Sequence, residues 1–228
     1  MNSSFQRLNR ERRVAVAPSL LSADFSCLER EIRAVEEAGA DFLHLDVMDG
    51  NFVPNITFGP MIVEAVAKIA RVPLISHLMI LNPAKYVEAF VKAGSSLVSF
   101  HWEACASGHA DIIGKIHALG CDAGIAINPD TPLSKIQHLL PEIDCLLVMT
   151  VFPGFGGQEL IAEAVAKIGE AARLKEAKGY RFVIEVDGGV KPQNAARVRE
   201  QGAQILVAGT AVFRCSAYAE AIAAIRGS

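Results

Sequence analysis

The stretch FLHLDVMDG, residues 42–50, is a short apolar run that ends in polar residues and a glycine. Seven further runs rich in branched aliphatic residues recur along the chain, and each is followed by a longer segment with helical periodicity. This alternation is typical of βα units that build a parallel sheet. We predict eight strands, at residues 14–17, 42–47, 74–78, 97–101, 123–127, 145–150, 182–186 and 205–208.

Three of the intervening segments, residues 26–38, 60–70 and 160–178, carry helix signals: apolar residues every three to four positions, a proline near the start, or a glycine just past the end. Eight units of this size fit a compact barrel. An open doubly wound sheet would need a glycine fingerprint after the first strand, and Pro18-Ser19-Leu20-Leu21 is not one. The predicted fold is therefore α/β, a single-domain (β/α)8 TIM barrel over residues 14–228.

The composition excludes several classes of protein. With 22 Lys+Arg against 25 Asp+Glu among 228 residues, the chain lacks the basic surface that nucleic acids require. Its apolar runs are too short to cross a membrane. The 5 cysteines are scattered and show neither disulfide nor zinc spacing, so we expect small buried side chains in a reducing, cytoplasmic setting. Residues 1–13 are polar and lack the apolar core of a secretory signal, and we predict a flexible N-terminal extension.

Polar residues concentrate where the predicted strands end, which is where barrel enzymes place their active sites. His44 and Asp46 are two residues apart in a strand, so both side chains point into the barrel. With His77 and Asp187 they could converge on one divalent cation. Zinc suits this ligand set, and iron, cobalt or manganese also fit it.

Other histidines have weaker claims to function. His101 ends a strand and is a candidate for contact with the substrate or with a metal ligand. His109, His117 and His138 fall in helices or loops, and we predict them to be surface residues.

Glycines cluster on the loops after the sixth, seventh and eighth strands. Exposed backbone N–H groups at such turns bind anions, and phosphate sites of barrels often lie on the last two of these loops. The candidate residues are Gly154, Gly156, Gly157, Gly188, Gly189, Gly209 and Thr210. Three methionines at strand ends, Met48, Met79 and Met149, either pack in the core or shape an apolar pocket. No lysine ends a strand, which disfavours a Schiff-base aldolase.

Six motifs together resemble the ribulose-phosphate 3-epimerase family, in the right order from about residue 14 to the C-terminus. They are APSLLSAD (17–24), HLDVMDG (44–50), FVPN (52–55), HLM (77–79), PGFGGQ (153–158) and VDGGV (186–190). The resemblance implies a metal-dependent barrel isomerase that interconverts D-ribulose 5-phosphate and D-xylulose 5-phosphate in the pentose phosphate pathway. It also implies a homo-oligomer, either a dimer or a hexamer.

The resemblance assigns roles to individual residues. His44, Asp46, His77 and Asp187 would bind the metal, Asp46 would take the C3 proton of ribulose 5-phosphate, and Asp187 would deliver one from the far face. The metal would stabilise the enediolate between these steps. The expected substrate contacts are Ser19, His77, Met48, Met79, Met149, Gly154, Phe155, Gly156, Gly157, Gly188, Gly189, Gly209 and Thr210.

Three positions depart from the family pattern: Phe152 replaces Asn or Glu, Asn51 replaces His, and Thr210 replaces Ser. Thr210 keeps the hydroxyl, whereas the other two leave open a D-allulose 6-phosphate 3-epimerase. The related decarboxylase and hexulose-phosphate synthase group carries an Asp-x-Lys-x-x-Asp motif on the second strand, which is absent here. A non-catalytic barrel that binds a sugar phosphate is a further alternative.

Overall fold

The computed structural model describes residues 4–11 and 13–228. Its eight strands are all parallel and confirm the predicted barrel: β1 (Ala15–Pro18), β2 (Leu43–Met48), β3 (Leu74–Met79), β4 (Leu97–His101), β5 (Asp122–Ile127), β6 (Cys145–Met149), β7 (Val183–Asp187) and β8 (Ile205–Ala208). Hydrogen-bonded neighbours run β1-β8-β7-β6-β5-β4-β3-β2. A parallel bridge between Ser19 and His44 brings the first and second strands together, so the barrel is nearly closed.

Helices pack around the outside of this barrel. They are α1 (Ser4–Glu11), α2 (Leu28–Glu37), α3 (Pro60–Ile69), α4 (Val87–Lys92), α5 (His109–Ala118), α6 (Ala162–Lys178), α7 (Pro192–Glu200), α8 (Thr210–Phe213) and α9 (Tyr218–Arg226). Between β5 and β6 the chain forms only a 3₁₀ turn, Leu133–Lys135, where the repeat predicts a full helix. Pro129, Pro132 and Pro141 lie in this connection, and proline interrupts helical hydrogen bonding.

Alternation along each strand divides the core into two layers. On β7, Ile184 and Val186 point outward and join the large apolar cluster beneath the helices. Val183, Glu185 and Asp187 alternate with them and therefore point into the barrel. Val183 packs there in a separate apolar cluster, and Glu185 is completely buried. The strands thus carry polar side chains inside a barrel whose outer face is apolar. None of the helices in residues 4–11 and 13–228 is long and apolar enough to span a bilayer.

The N-terminal segment differs from the predicted flexible extension. Residues 4–11 form α1, whose Phe5 and Leu8 are each only 1% exposed. The Phe5 ring stacks on Phe42 at 4.8 Å between centroids, and both belong to the apolar cluster at the N-terminal ends of the strands. The expectation is wrong for this segment, because two apolar side chains on one turn of a polar helix close the open end of the barrel. Residues 1–3 and 12 lie outside the described residues.

Phe5→Ala should lower the free energy of unfolding by about 3 kcal/mol, the usual cost of truncating a buried phenylalanine. Turnover at 25 °C should stay unchanged, since α1 closes the end of the barrel opposite the strand ends that carry the polar cluster. Urea denaturation of this variant and of Arg10→Ala, on the exposed face of the same helix, measures the difference. Equal stability of both variants and wild type would show that α1 does not support the barrel.

The five cysteines are all free, but only Cys121 and Cys145 are buried, and the others are half-buried. The expectation of small buried side chains is therefore correct for two of them.

Candidate active site

The four predicted metal ligands meet at the C-terminal end of the barrel. One ligand atom from each of His44, Asp46, His77 and Asp187 lies within 4.8 Å of the others. Asp46 Oδ1 lies 3.2 Å from His44 Nε2 and 3.1 Å from His77 Nδ1. Asp187 Oδ2, which arrives from β7, lies 3.6 Å from His77 Nδ1. The barrel therefore brings four residues from three strands together in one cluster, which we call the quartet.

The protonation of His44 shows what this cluster can bind. Its Nδ1 lies 3.0 Å from Oε1 of the buried Glu185, and a carboxylate only accepts hydrogen bonds, so Nδ1 carries the proton. In the neutral form of the ring Nε2 then offers a lone pair, and this buried nitrogen has no hydrogen-bond partner. It points at Asp46 Oδ1, another lone-pair atom. A cation between them satisfies both groups, so the quartet fits a divalent metal ion.

The two carboxylates of the quartet have opposite acid–base character. Burial opposes the charge of Asp46, but His44 and His77 outweigh it and hold its pKa well below the ordinary value. Burial and the neighbouring Asp46 charge raise the pKa of Asp187 to about 8. Considering the protein groups alone, Asp46 is ionised and Asp187 protonated at neutral pH. Pairs of carboxyl groups separated in this way commonly act as base and acid.

The two imidazoles also differ. Burial lowers the pKa of His77 to about 4, so its ring is neutral and can serve as a ligand. For His44, burial opposes the charged form, but Asp46 and Glu185 outweigh it and raise its pKa well above the ordinary value. A proton and a cation therefore compete for His44 Nε2.

A cavity of about 560 Å³, including its open mouth, lies over the two carboxylates. Asp46 and Asp187 line it, whereas His44 and His77 are fully buried behind it. Every other residue predicted to contact substrate lines this same cavity: Ser19, Met48, Met79, Met149, Gly154, Phe155, Gly156, Gly157, Gly188, Gly189, Gly209 and Thr210. The fold thus gathers into one site residues that the sequence spreads over almost 200 positions.

The loop after β6 covers part of the cavity and is held in shape by its own side chains. Gln158 Nε2 donates to the carbonyls of Phe152 and Phe155, at 2.8 and 2.9 Å. Asn55 Nδ2 donates to Gly154 O at 2.8 Å, which ties the loop to the segment after β2. The site therefore has a cover that side-chain hydrogen bonds fix to itself and to the segment after β2.

The two departures from the family pattern that bear on sugar length lie away from the cavity wall. Phe152 is 51% exposed, and its neighbours Val151 and Pro153 line the cavity instead. Asn51 is exposed, and its side chain donates to Asp49 O at 2.9 Å. Neither residue changes the shape of the described lining.

The remaining histidines divide into different environments. His101 is fully buried, and its Nε2 lies 2.9 Å from His77 Nε2, so it contacts a metal-ligand candidate. His109 is not the surface residue that we predicted, because it is 9% exposed and stacks on Trp102 at 5.8 Å. His117 is exposed and pairs with Asp144.

Glu185 was missed as a functional residue, although its position two before Asp187 places it on the same interior face.

Comparison with known proteins identifies the family of the chain. The model of the ribulose-phosphate 3 epimerase family matches residues 15–213. A ribulose-phosphate 3-epimerase of Synechocystis sp. is 51% identical over 218 residues, covering 95% of each chain. One of Bacillus subtilis is 50% identical, covering 94% of this chain and 99% of its own. A chloroplastic ribulose-5-phosphate-3-epimerase of Arabidopsis thaliana is 48% identical, covering 94% of this chain and 77% of its own.

Solved structures of low sequence identity share the fold alone. A 3-hexulose-6-phosphate synthase from Salmonella typhimurium superposes with a TM-score of 0.69 at 15% identity, covering 94% of this chain and 97% of its own. The KGPDC of Streptococcus mutans gives a TM-score of 0.71 at 10% identity, covering 94% of this chain and 96% of its own. Since the family model spans most of the chain and curated relatives reach half identity, the chain belongs to the ribulose-phosphate 3-epimerase family and is an isomerase.

Proposed function

We propose that the protein interconverts D-ribulose 5-phosphate and D-xylulose 5-phosphate by proton transfer between two aspartates. Inverting the carbon beside a ketone requires that a proton leave one face and that another arrive on the opposite face. The observation that carries the proposal is the pair of carboxyl groups, Asp46 from β2 and Asp187 from β7, that meet at the wall of one cavity beside two imidazoles.

Asp46 is the base for ribulose 5-phosphate and Asp187 is the acid. The low pKa of Asp46 keeps it ionised, and Ser19 Oγ donates to its Oδ2 at 2.5 Å, which orients the carboxylate. Asp187, which arrives from the opposite side of the barrel, delivers the proton that the other face receives, and among the protein groups alone its pKa is raised to about 8. In the reverse reaction the two residues exchange roles.

His44, Asp46, His77 and Asp187 would hold a divalent cation, for which zinc suits the two imidazoles and two carboxylates and iron, cobalt or manganese are alternatives. When bound, the cation would supply positive charge that stabilises the anionic enediolate of the sugar.

The glycine loops would bind the phosphate end of the substrate. Gly188 and Gly189 adopt φ of +120° and +69°, and their backbones pack closely against the loop after β6. A Cβ on Gly189 would lie 2.5 Å from Leu160 N, so this position has no room for a side chain. The ordered loop above them would exclude water from the reacting carbon.

Gly189→Ala should raise the KM for ribulose 5-phosphate, because the added methyl group pushes the β6 loop away from the phosphate end. The matched control is Gly179→Ala, whose φ of +67° imposes the same backbone strain but whose Cβ would meet no atom within 4 Å. Gly179→Ala should lose only the stability that its strained backbone costs, whereas Gly189→Ala should lose more stability and also substrate affinity. Equal KM values would contradict the assignment of this loop.

Solvent deuterium tests the function as a whole. Purified protein in D₂O should exchange the C3 hydrogen of ribulose 5-phosphate and form xylulose 5-phosphate, both followed by NMR. A sugar-phosphate-binding protein without catalysis would leave that hydrogen in place. A much higher kcat/KM with D-allulose 6-phosphate, assayed in parallel, would instead assign the six-carbon substrate.

A further inference from the structure

His77 makes contacts through both of its ring nitrogens. Nδ1 faces Asp46 Oδ1 at 3.1 Å, and Nε2 lies 2.9 Å from Nε2 of His101. His101 is fully buried, with the Phe52 ring packed 4.8 Å away. Two ring nitrogens at hydrogen-bond distance need one donor and one acceptor. The direction of this bond decides whether His77 Nδ1 offers a lone pair to a cation.

Glu103 determines that direction. Its Oε2 lies 3.2 Å from His101 Nδ1, and because a carboxylate only accepts, Nδ1 of His101 must carry the proton. His101 Nε2 is then the acceptor. The neutral ring of His77 carries one proton, and with that proton on Nε2 it completes the bond to His101. Nδ1, 3.1 Å from Asp46 Oδ1, is then free to share a cation with that oxygen.

The loop after β5 holds Glu103 in place. Glu103 Oε1 accepts from Asn128 N at 2.8 Å and from the Thr131 hydroxyl. Lys167, on α6, donates to Asn128 O at 2.7 Å and to Thr131 O, so it clamps the same loop from the other side. The two carboxylate oxygens thus have separate tasks: Oε1 anchors the loop, and Oε2 faces His101.

We propose that His101 and Glu103 are positioning residues that hold His77 in the tautomer able to bind the cation, a role that rests on the metal site proposed above. Glu185 has the corresponding arrangement with His44, through a single direct contact of 3.0 Å. Both imidazoles of the quartet are therefore oriented by a carboxylate on the side away from the cavity. Neither His101 nor Glu103 is among the described residues that line the cavity.

The chain of contacts from Glu103 through His101 to His77 is called the relay below. Glu103→Gln tests it with little change in the shape of the side chain. The amide oxygen can keep the bonds from Asn128 and Thr131, while the amide nitrogen replaces Oε2 and donates to His101 Nδ1. The direction of every bond then reverses, and a proton is placed on His77 Nδ1. We expect Zn²⁺ affinity, measured by chelator competition, to fall about 10- to 100-fold. In ¹⁵N spectra of histidine-labelled protein, the His101 proton should be on Nδ1 in zinc-loaded wild type and on Nε2 in the zinc-free variant.

Thr131→Val is the matched control, because it removes a bond to Glu103 Oε1 but leaves the carboxylate facing His101. Its Zn²⁺ affinity and His101 tautomer should be those of wild type. A wild-type His101 with its proton on Nε2, or a Glu103→Gln variant with unchanged affinity, would overturn the relay alone. Wild-type protein that binds no Zn²⁺ would overturn the metal site and the relay with it. If Glu103→Gln fails to fold, the His101 tautomer of the wild-type protein still tests the relay.

Discussion

Asp187→Asn is expected to fold normally and to lose about 10²- to 10⁴-fold in turnover, the usual contribution of a general acid. The amide is nearly isosteric but has no acidic proton to deliver to the substrate. Asp46 stays able to remove and return a proton on its own face. In D₂O the variant should therefore exchange the C3 hydrogen of ribulose 5-phosphate faster than it forms xylulose 5-phosphate.

The measurement is an NMR time course that follows deuterium incorporation and product in the same tube. Asp130→Asn, which removes an exposed carboxylate, is the control and should retain wild-type turnover. Near-normal epimerisation by Asp187→Asn would exclude its role as acid. Loss of exchange together with turnover would show that Asp187 is needed for proton removal as well.

Asp46→Asn should have the larger effect, since one carboxylate serves three neighbours. Oδ1 lies within 3.2 Å of both His44 Nε2 and His77 Nδ1, and Oδ2 accepts from Ser19. An asparagine removes the base, and it weakens the quartet because it lacks the carboxylate charge. We expect turnover to fall at least as far as in Asp187→Asn, and Zn²⁺ affinity to fall about 10- to 100-fold.

The pattern of exchange distinguishes this variant from the first. Asp46→Asn should not exchange the C3 hydrogen of ribulose 5-phosphate, whereas exchange from xylulose 5-phosphate, on the Asp187 face, should be less affected. Ser19→Ala is the matched comparison, because it removes the partner of Oδ2 but keeps the carboxylate, and its losses should be smaller. The same exchange pattern in both aspartate variants would contradict separate faces for the two residues.

The strand pattern and the quartet were predictable because both depend on local rules. Alternation places His44 and Asp46 on one face, and the parallel barrel brings strand ends together whatever their distance along the chain. The observed strands begin and end within one residue of the predicted ones. The same rule could have identified Glu185, which shares the interior face with Asp187.

Other features depended on surroundings that the sequence does not display. In the sequence, Phe5 and Leu8 are isolated apolar residues in a polar segment. In the fold they pack against apolar side chains at the open end of the barrel. His109 looked like a surface residue, and it is buried because Trp102 covers it. The sequence also did not show that Phe152 is exposed and absent from the described cavity lining, to which its neighbours Val151 and Pro153 belong.

By itself, then, the sequence determined the barrel, the family and the residue types of the quartet, since periodicity and motif order are properties of the chain itself. Only the tertiary structure decided the protonation of those residues. The pKa values of Asp46 and Asp187 separate because burial and neighbouring charges act over a few ångströms. Glu185 determines which ring nitrogen of His44 carries the proton, and the contact with His101 does the same for His77. Both partners come from other strands.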